Sequence, residues 1–230
     1  MQAGHIDDLV NAHKGELVFV LGNSDSLNEL DMSLMSKFTT IGVQRILETY
    51  EPNYAFIVDQ SVIRDEYERM NDVCDRIPII LYPYHMSSKM RKLYDGPWIS
   101  SGPMSHNVDR EKKTGPIHIP PSGDSGYEAT QLAYRMGAST IALAGIDLHW
   151  PRGKNTHSYG DGKARGAKLR MPKEKTEAFR QLKQIYKRRG VGLVSVSPWQ
   201  TPLRTALGYT PLPDLIAKWQ NQKSTQSDAQ

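Results

Sequence analysis

The chain has 230 residues, of which 38% are hydrophobic and 23% charged. That content supports the packed core of one large domain and excludes a disordered chain. The single cysteine, Cys74, excludes an internal disulfide and a multi-cysteine zinc site.

No apolar run reaches the roughly 18 residues a membrane helix needs. The polar opening MQAGHIDDLVNAHKGE does not read as a secretory signal, so a cytoplasmic location is expected. The net charge is +4 and is unevenly spread. Between Arg152 and Arg189 thirteen Lys or Arg face three acids, Asp161, Glu174 and Glu177. Such a surplus suits an anionic partner, or equally a solvated helix face and a surface loop.

Strand-like and helix-like segments alternate along the chain. Short apolar runs at 16–22 (ELVFVLG), 38–43, 53–59, 76–83, 139–147 and 190–198 predict six strands. They are continuous rather than alternating, as expected of strands covered on both faces. Helices are predicted at 61–75 with Ser61 as N-cap, at 125–137 closing on Gly137, and at 173–190 before Gly190. Ala129, Leu132, Ala133 and Met136 form one helical face, and Phe179, Leu182, Ile185 and Tyr186 another. The fold class is therefore α/β: a Rossmann-like, doubly wound, mostly parallel sheet with helices on both faces. Residues 84–124, rich in Pro, Gly and Ser, predict a long loop with one or two short strands. A single domain over 1–222 is expected, with a basic lid at about 151–172 and a disordered tail at 223–230.

Ligands of such sheets bind beyond the carboxyl ends of the strands, and four polar clusters fall there. LGNSDSL places Gly22, Asn23, Ser24 and Ser26 in a small-residue turn before an expected helix, a setting that favours an anion. It carries one glycine, not a dinucleotide fingerprint, and it also fits an ordinary capped turn. Gln44 and Arg45 follow the second strand, and SGDSGY puts Ser125, Gly126 and Tyr127 at a helix start. Asp147 ends the fifth strand, where a carboxylate accepts from ribose hydroxyls. His149 and His157 follow it, and imidazole is the side chain most readily poised for proton transfer near neutrality. The spacing of Asp147, His149 and His157 matches no standard zinc motif, and no metal is expected. His5, His13, His85, His106 and His118 form no constellation and read as surface or structural.

These clusters, in this order, resemble the bacterial sialyltransferases and the related motility accessory factor proteins, a superfamily that also includes 6-hydroxymethylpterin diphosphokinases. VLGNSDSL is similar to their glycine-turn opening, and TTIGVQRI with YEPNYAFIVDQSV to their second block. SGYEATQLAYRMGASTIALAGIDLHW carries the most specific match, and GKNTHSYGDG and LVSVSPWQTPL extend it over about residues 16–205. The resemblance implies a glycosyltransferase that uses a nucleotide-activated sugar, a CMP-linked nonulosonic (sialic-type) acid. It implies no metal and no cofactor, and an acceptor hydroxyl on a glycan or protein. It implies nucleotide contacts from Gly22, Asn23, Ser26, Gln44, Ser125, Gly126, Gly145 and Asp147. His157 takes the place of the general base, while His149 and Tyr159 stand as phosphate donors. Three departures stand out: Ser24-Asp25 replaces Gly-Pro, Gln44 replaces an asparagine, and His149 replaces a tyrosine.

Two other readings stay open at this stage. One is an ATP- and Mg²⁺-dependent diphosphokinase in which Asp59 and Asp147 become metal ligands. The other is a non-enzymatic nucleotide-binding accessory protein, since fold does not fix function. No nucleic-acid partner and no membrane span are expected, and a homo-oligomer is compatible with the sequence.

Overall fold

The computed structural model describes residues 2–82, 86–100, 124–149, 157–158, 160 and 172–227. Eight parallel strands form one sheet: β1 (Gln2–His5), β2 (Leu17–Leu21), β3 (Thr39–Val43), β4 (Tyr54–Ile57), β5 (Ile79–Leu81), β6 (Trp98–Ser100), β7 (Thr140–Ala144) and β8 (Gly192–Ser195). Their spatial order is β1-β6-β5-β4-β3-β2-β7-β8. From β2 the chain steps outward through β3, β4 and β5 to β6, then returns to lay β7 on the other side of β2. The order reverses between β2 and β7, so the carboxyl ends of those two strands flank the topological switch point.

The six strands expected from the apolar runs are β2, β3, β4, β5, β7 and β8. Their continuous hydrophobicity has a direct cause. Val18 and Val20 face one core cluster with Ile41, Val43 and Leu143, while Leu17, Phe19 and Leu21 face a second with Ala55, Ile57, Ala142 and Ala144. Both clusters are covered. α2 (Ser125–Arg135), α3 (Pro172–Arg188) and α4 (Pro202–Leu207) lie on the first. α1 (Gln60–Val73), α5 (Leu212–Ser227) and short 3-10 turns lie on the second. All five side chains of β2 are fully buried, as befits the central strand of a two-sided sheet. β6 is the short strand expected within the long loop, most of which (101–123) lies outside the described residues.

The helices follow their patterns with shifted edges. Ala129, Leu132, Ala133 and Met136 of α2 and its C-cap are buried on the sheet. Gly137 then takes φ +91°, where a side chain would be strained and would also crowd Lys14. Asp59, not Ser61, caps α1: its carboxylate accepts the Ser61 N–H at 2.8 Å. Asp59 is two residues earlier, where the backbone is still extended, while Ser61 is already helical.

Three expectations are corrected. The segment after the glycine turn is not a helix but two 3-10 turns, Asp25–Glu29 and Met32–Met35. Leu30 is extended between them, and Asp31 caps the second through the Ser33 N–H, so the dipole never builds. The polar stretch after Gln220 is helical through Ser227, as the end of α5; Lys223 lies over the Trp219 ring, which packs on Phe38. The N-terminus, read only as polar, adds β1 beside β6. No helix among the described residues is long and apolar enough to cross a membrane.

Phe19 is fully buried and meets Phe38 edge-on at 5.6 Å. Phe19→Ala should cost about 3–5 kcal/mol, whereas Phe19→Leu should cost less than about 1.5 kcal/mol. Urea unfolding of the two variants measures the difference.

Candidate functional site

The turn after β2 and the segment after β7 meet at the switch point. The Gly22 N–H donates to the Ala144 carbonyl at 2.8 Å, and the Ser24 N–H to the Gly145 carbonyl at 2.9 Å. A Cβ on Gly22 would lie 2.2 Å from the Gly145 carbonyl oxygen and 2.5 Å from Ile146 Cγ1. Gly145 adopts φ +65° with Leu27 Cβ 3.1 Å from where its own Cβ would be. The first turn of α2 closes the third side, since a Cβ on Gly126 would sit 2.9 Å from Ile146 Cδ1. Ile146 is thus wedged between two glycines, and three backbone segments approach more closely than side chains would permit.

Asp147 lies at the centre of this junction and is 1% exposed. Its Oδ2 accepts from Ser26 Oγ at 2.5 Å, and Ser26 is itself fully buried. Oδ1 has no hydrogen-bond partner among the described residues. Burial pushes the Asp147 carboxyl above its ordinary range. The hydroxyls of Ser197, Ser26 and Ser24 and the imidazole of His149 pull in the other direction without cancelling it. Asn23 shows a similar imbalance. Its Nδ2 donates to the Val43 carbonyl at 2.8 Å, which leaves a buried Oδ1 without a partner among the described residues. Two buried acceptors without a partner among the described residues, on the turns after β2 and β7, are groups that a ligand with several donors would satisfy.

Gln44 lies next along the edge, after β3. It holds φ +54°, a left-handed conformation uncommon outside glycine and asparagine. Its Oε1 accepts from the Val58 and Asp59 N–H groups, each at 3.3 Å. Arg45, expected in the same cluster, is turned away. It is buried in ion pairs with Glu66 and Asp65, the latter at 2.6 Å, and it fastens the 3-10 turn Gln44–Glu48 onto α1.

The remaining expected residues divide as follows. Ser125 and Gly126 open α2 above its N-cap Asp124. His149 is exposed, yet close enough to influence Asp147. His157 is half-buried, and its neighbour Ser158 docks on the glycine turn. There the Ser158 N–H donates to the Asn23 carbonyl at 2.8 Å, and Asn28 Nδ2 donates to the Ser158 carbonyl at 3.0 Å. Tyr159 and most of the expected lid lie outside the described residues.

The structure adds Ser197, fully buried beyond β8, to the hydroxyls around Asp147. The serine pair of SVSPW at the end of a strand was the available signal. It does not bring Asp59 to Asp147: those strands are three places apart in the sheet, about 14 Å at normal strand spacing. Among the described residues no group of three His, Cys, Asp or Glu gathers. The other titratable cluster sits at the opposite, amino edge of the sheet. There His13 bonds to Glu16 at 2.9 Å, to Thr39 at 2.9 Å and to Tyr54 at 3.0 Å, a closed structural set.

No family model matches the chain, and no curated protein matches it in sequence. Solved structures do match in fold. The sialyltransferase CstII from Campylobacter jejuni, in complex with a substrate analogue, cytidine-5'-monophosphate, aligns with a TM-score of 0.57 at 16% identity over 87% of each chain. The same enzyme with CMP-3FNeuAc gives 0.54 at 15% identity, over 86% of this chain and 88% of that one. The MAf glycosyltransferase from Magnetospirillum magneticum AMB-1 aligns over 64% of this chain and 27% of that one, with a TM-score of 0.43 at 14% identity. The chain therefore has the α/β fold of the sialyltransferase CstII.

Two outcomes test this junction. Gly22→Ala should destabilise the protein by about 1–3 kcal/mol through overpacking. Gly15→Ala, at φ +77° with nothing within 4 Å, should cost only about 1 kcal/mol of backbone strain. Thermal melts separate the two. Asp147→Asn has a pH signature. The folded-state pKa of Asp147 is raised, so its stabilising contribution is full below the unfolded carboxylate pKa and is lost as pH rises through the folded value. The melting temperature of Asp147→Asn should exceed that of the wild type at pH 7–8, and the gap should close as the buffer is taken down through the carboxylate range.

Proposed function

We propose that the chain is a glycosyltransferase acting on a nucleotide-activated sugar, with a CMP-linked nonulosonic acid as donor and a hydroxyl group as acceptor. The observation that carries this reading is the pair of buried, unpartnered oxygens, Asp147 Oδ1 and Asn23 Oδ1, at the switch point of a parallel sheet. A nucleoside offers the complementary donors in its ribose hydroxyls and base amino group. The fold shared with CstII, an enzyme solved with CMP and with CMP-3FNeuAc, agrees with that choice.

The chemistry follows from the parts. The nucleoside sits over the turns at Gly22, Asn23 and Gly145, which their glycines hold in close contact. Asp147 accepts from it, with its carboxylate fixed by Ser26. The phosphate faces the first turn of α2, whose Ser125 and Gly126 N–H groups have no intrahelical partner. The bond between the anomeric carbon and the phosphate oxygen breaks, and CMP departs with the bonding pair. The acceptor oxygen forms the new glycosidic bond and gives its proton to His157. Fixed N–H donors, with His149 and Tyr159, offset the charge growing on a single phosphate without requiring a metal ion. The Ser158 N–H bond to the Asn23 carbonyl, one residue along from His157, supports this role.

A thermal-shift screen with CMP, CDP, UDP and ATP, each with and without Mg²⁺, tests the reading. Stabilisation by CMP in EDTA is expected. Stabilisation by ATP only with Mg²⁺ would replace it with a diphosphokinase, and no shift with any nucleotide would remove the nucleotide altogether. His157→Ala should retain the CMP shift while CMP release from CMP-sialic acid falls by about 10²-fold or more. Unchanged turnover would take His157 out of the mechanism.

A further inference from the structure

Both polar atoms of the peptide unit joining His157 to Ser158 are bonded. The Ser158 N–H donates to the Asn23 carbonyl at 2.8 Å, and the His157 carbonyl accepts from the Gly160 N–H at 3.0 Å. Gly160 takes φ +81°, which lets the chain fold back this tightly. A peptide unit is planar, so holding its N–H and its C=O also fixes the adjoining His157 Cα. A third bond holds the next unit: Asn28 Nδ2 donates to the Ser158 carbonyl at 3.0 Å.

Asn28 is aimed by its own segment. Asp25–Glu29 is a 3-10 turn, in which side chains three residues apart eclipse one another. Asp25 Oδ1 therefore lies beside Asn28 and accepts from the same Nδ2 at 2.8 Å. A side-chain amide nitrogen carries two hydrogens, and these two bonds use both. Asn28 is exposed, so the arrangement contributes little to the core. Asp25 is also one of the residues by which the glycine turn departs from the sialyltransferase pattern, and orienting Asn28 gives that departure a use.

We propose that Asn28, oriented by Asp25, is a positioning residue for His157: it latches the His157–Ser158 unit onto the turn after β2. The inference rests on the reading of His157 as the general base, and it adds residues that act on that base through the backbone. Asn23 links this latch to the nucleotide reading. Its carbonyl accepts from Ser158, and its buried Oδ1 has no partner among the described residues. The base is thereby referenced to the same turn that receives the nucleoside, and small errors in such placement are costly to a reaction. An asparagine suits the role because its amide does not titrate, so the latch is the same whether or not His157 holds a proton.

Three measurements test this on wild type, Asn28→Ala, Asn28→Asp and Asp25→Asn, with His157→Ala as reference: CMP release from CMP-sialic acid, calorimetric titration with CMP, and amide hydrogen exchange at Ser158. Asn28→Ala should lower kcat about tenfold, through one lost hydrogen bond and the misplacement that follows. It should leave CMP affinity nearly unchanged and speed exchange of the Ser158 amide. Asn28→Asp sets an acceptor against the Ser158 carbonyl and the Asp25 carboxylate, so it should lose at least as much. Asp25→Asn keeps an accepting oxygen for Asn28 and should stay close to wild type. A purely structural cluster would leave kcat in place or move CMP affinity along with it. The proposal is overturned if Asn28→Ala keeps the wild-type kcat, if its CMP affinity falls in step with kcat, or if exchange at Ser158 does not change. Wild-type turnover in His157→Ala, or no CMP release by the wild type, overturns instead the reading beneath it, and this inference with it.

Discussion

The close approach of the β2 and β7 carboxyl ends is the constraint on which the rest of the site depends. The distance between Gly22 and the Gly145 carbonyl leaves no room for a Cβ, so backbone meets backbone. Ile146 then fills the angle between Gly22 and Gly126 and brings the first turn of α2 onto the same point. Every residue of the crevice inherits its position from this contact. Ser26 reaches Asp147 across 121 residues of sequence because the two turns are pressed together. Asn23 is fixed by its amide, which donates to the Val43 carbonyl of the next strand.

Asp147 is buried at a cost to stability. Burying a carboxylate with one oxygen unpartnered is unfavourable, and its raised pKa expresses that cost in a measurable form. The surrounding serines soften the burial but cannot cancel it, because hydroxyls carry no net charge. Gln44 repeats the theme on a smaller scale, with a non-glycine residue in a left-handed conformation at the same edge. By contrast, the cluster at the amino edge of the sheet is closed: His13, Glu16, Thr39 and Tyr54 bond to one another.

Charge is organised on the same lines. Arg45 is spent on α1, where buried pairing with Glu66 makes it a fastener of the fold. Lys175 pairs with Asp124, the carboxylate that also caps α2. Arg45 has Glu48, Asp65 and Glu66 within ion-pair distance.

The sequence by itself determined the class of the fold and pointed to the carboxyl edge of the sheet for the candidate site. Continuous apolar runs marked six of the eight strands, because a strand covered on both faces has no polar side to interrupt it. Gly22 and Gly126 stood out in small-residue turns and Gly145 through the family resemblance; close approach at all three, with φ +65° at Gly145, accounts for them. Less was legible where long-range contact overrides local pattern. The segment after Ser24 resembles a helix start but breaks into 3-10 turns, and the polar stretch after Gln220 becomes helix against Phe38 through Trp219. Only the tertiary structure could decide that Arg45 turns inward, that Ser197 joins Asp147, that Asp59 stands three strands away from it, and that Lys175 meets Asp124. Each of these depends on distances between segments far apart in the chain. Local propensity and spacing carry no record of such distances, because strand order and helix register are set by packing of the whole sheet.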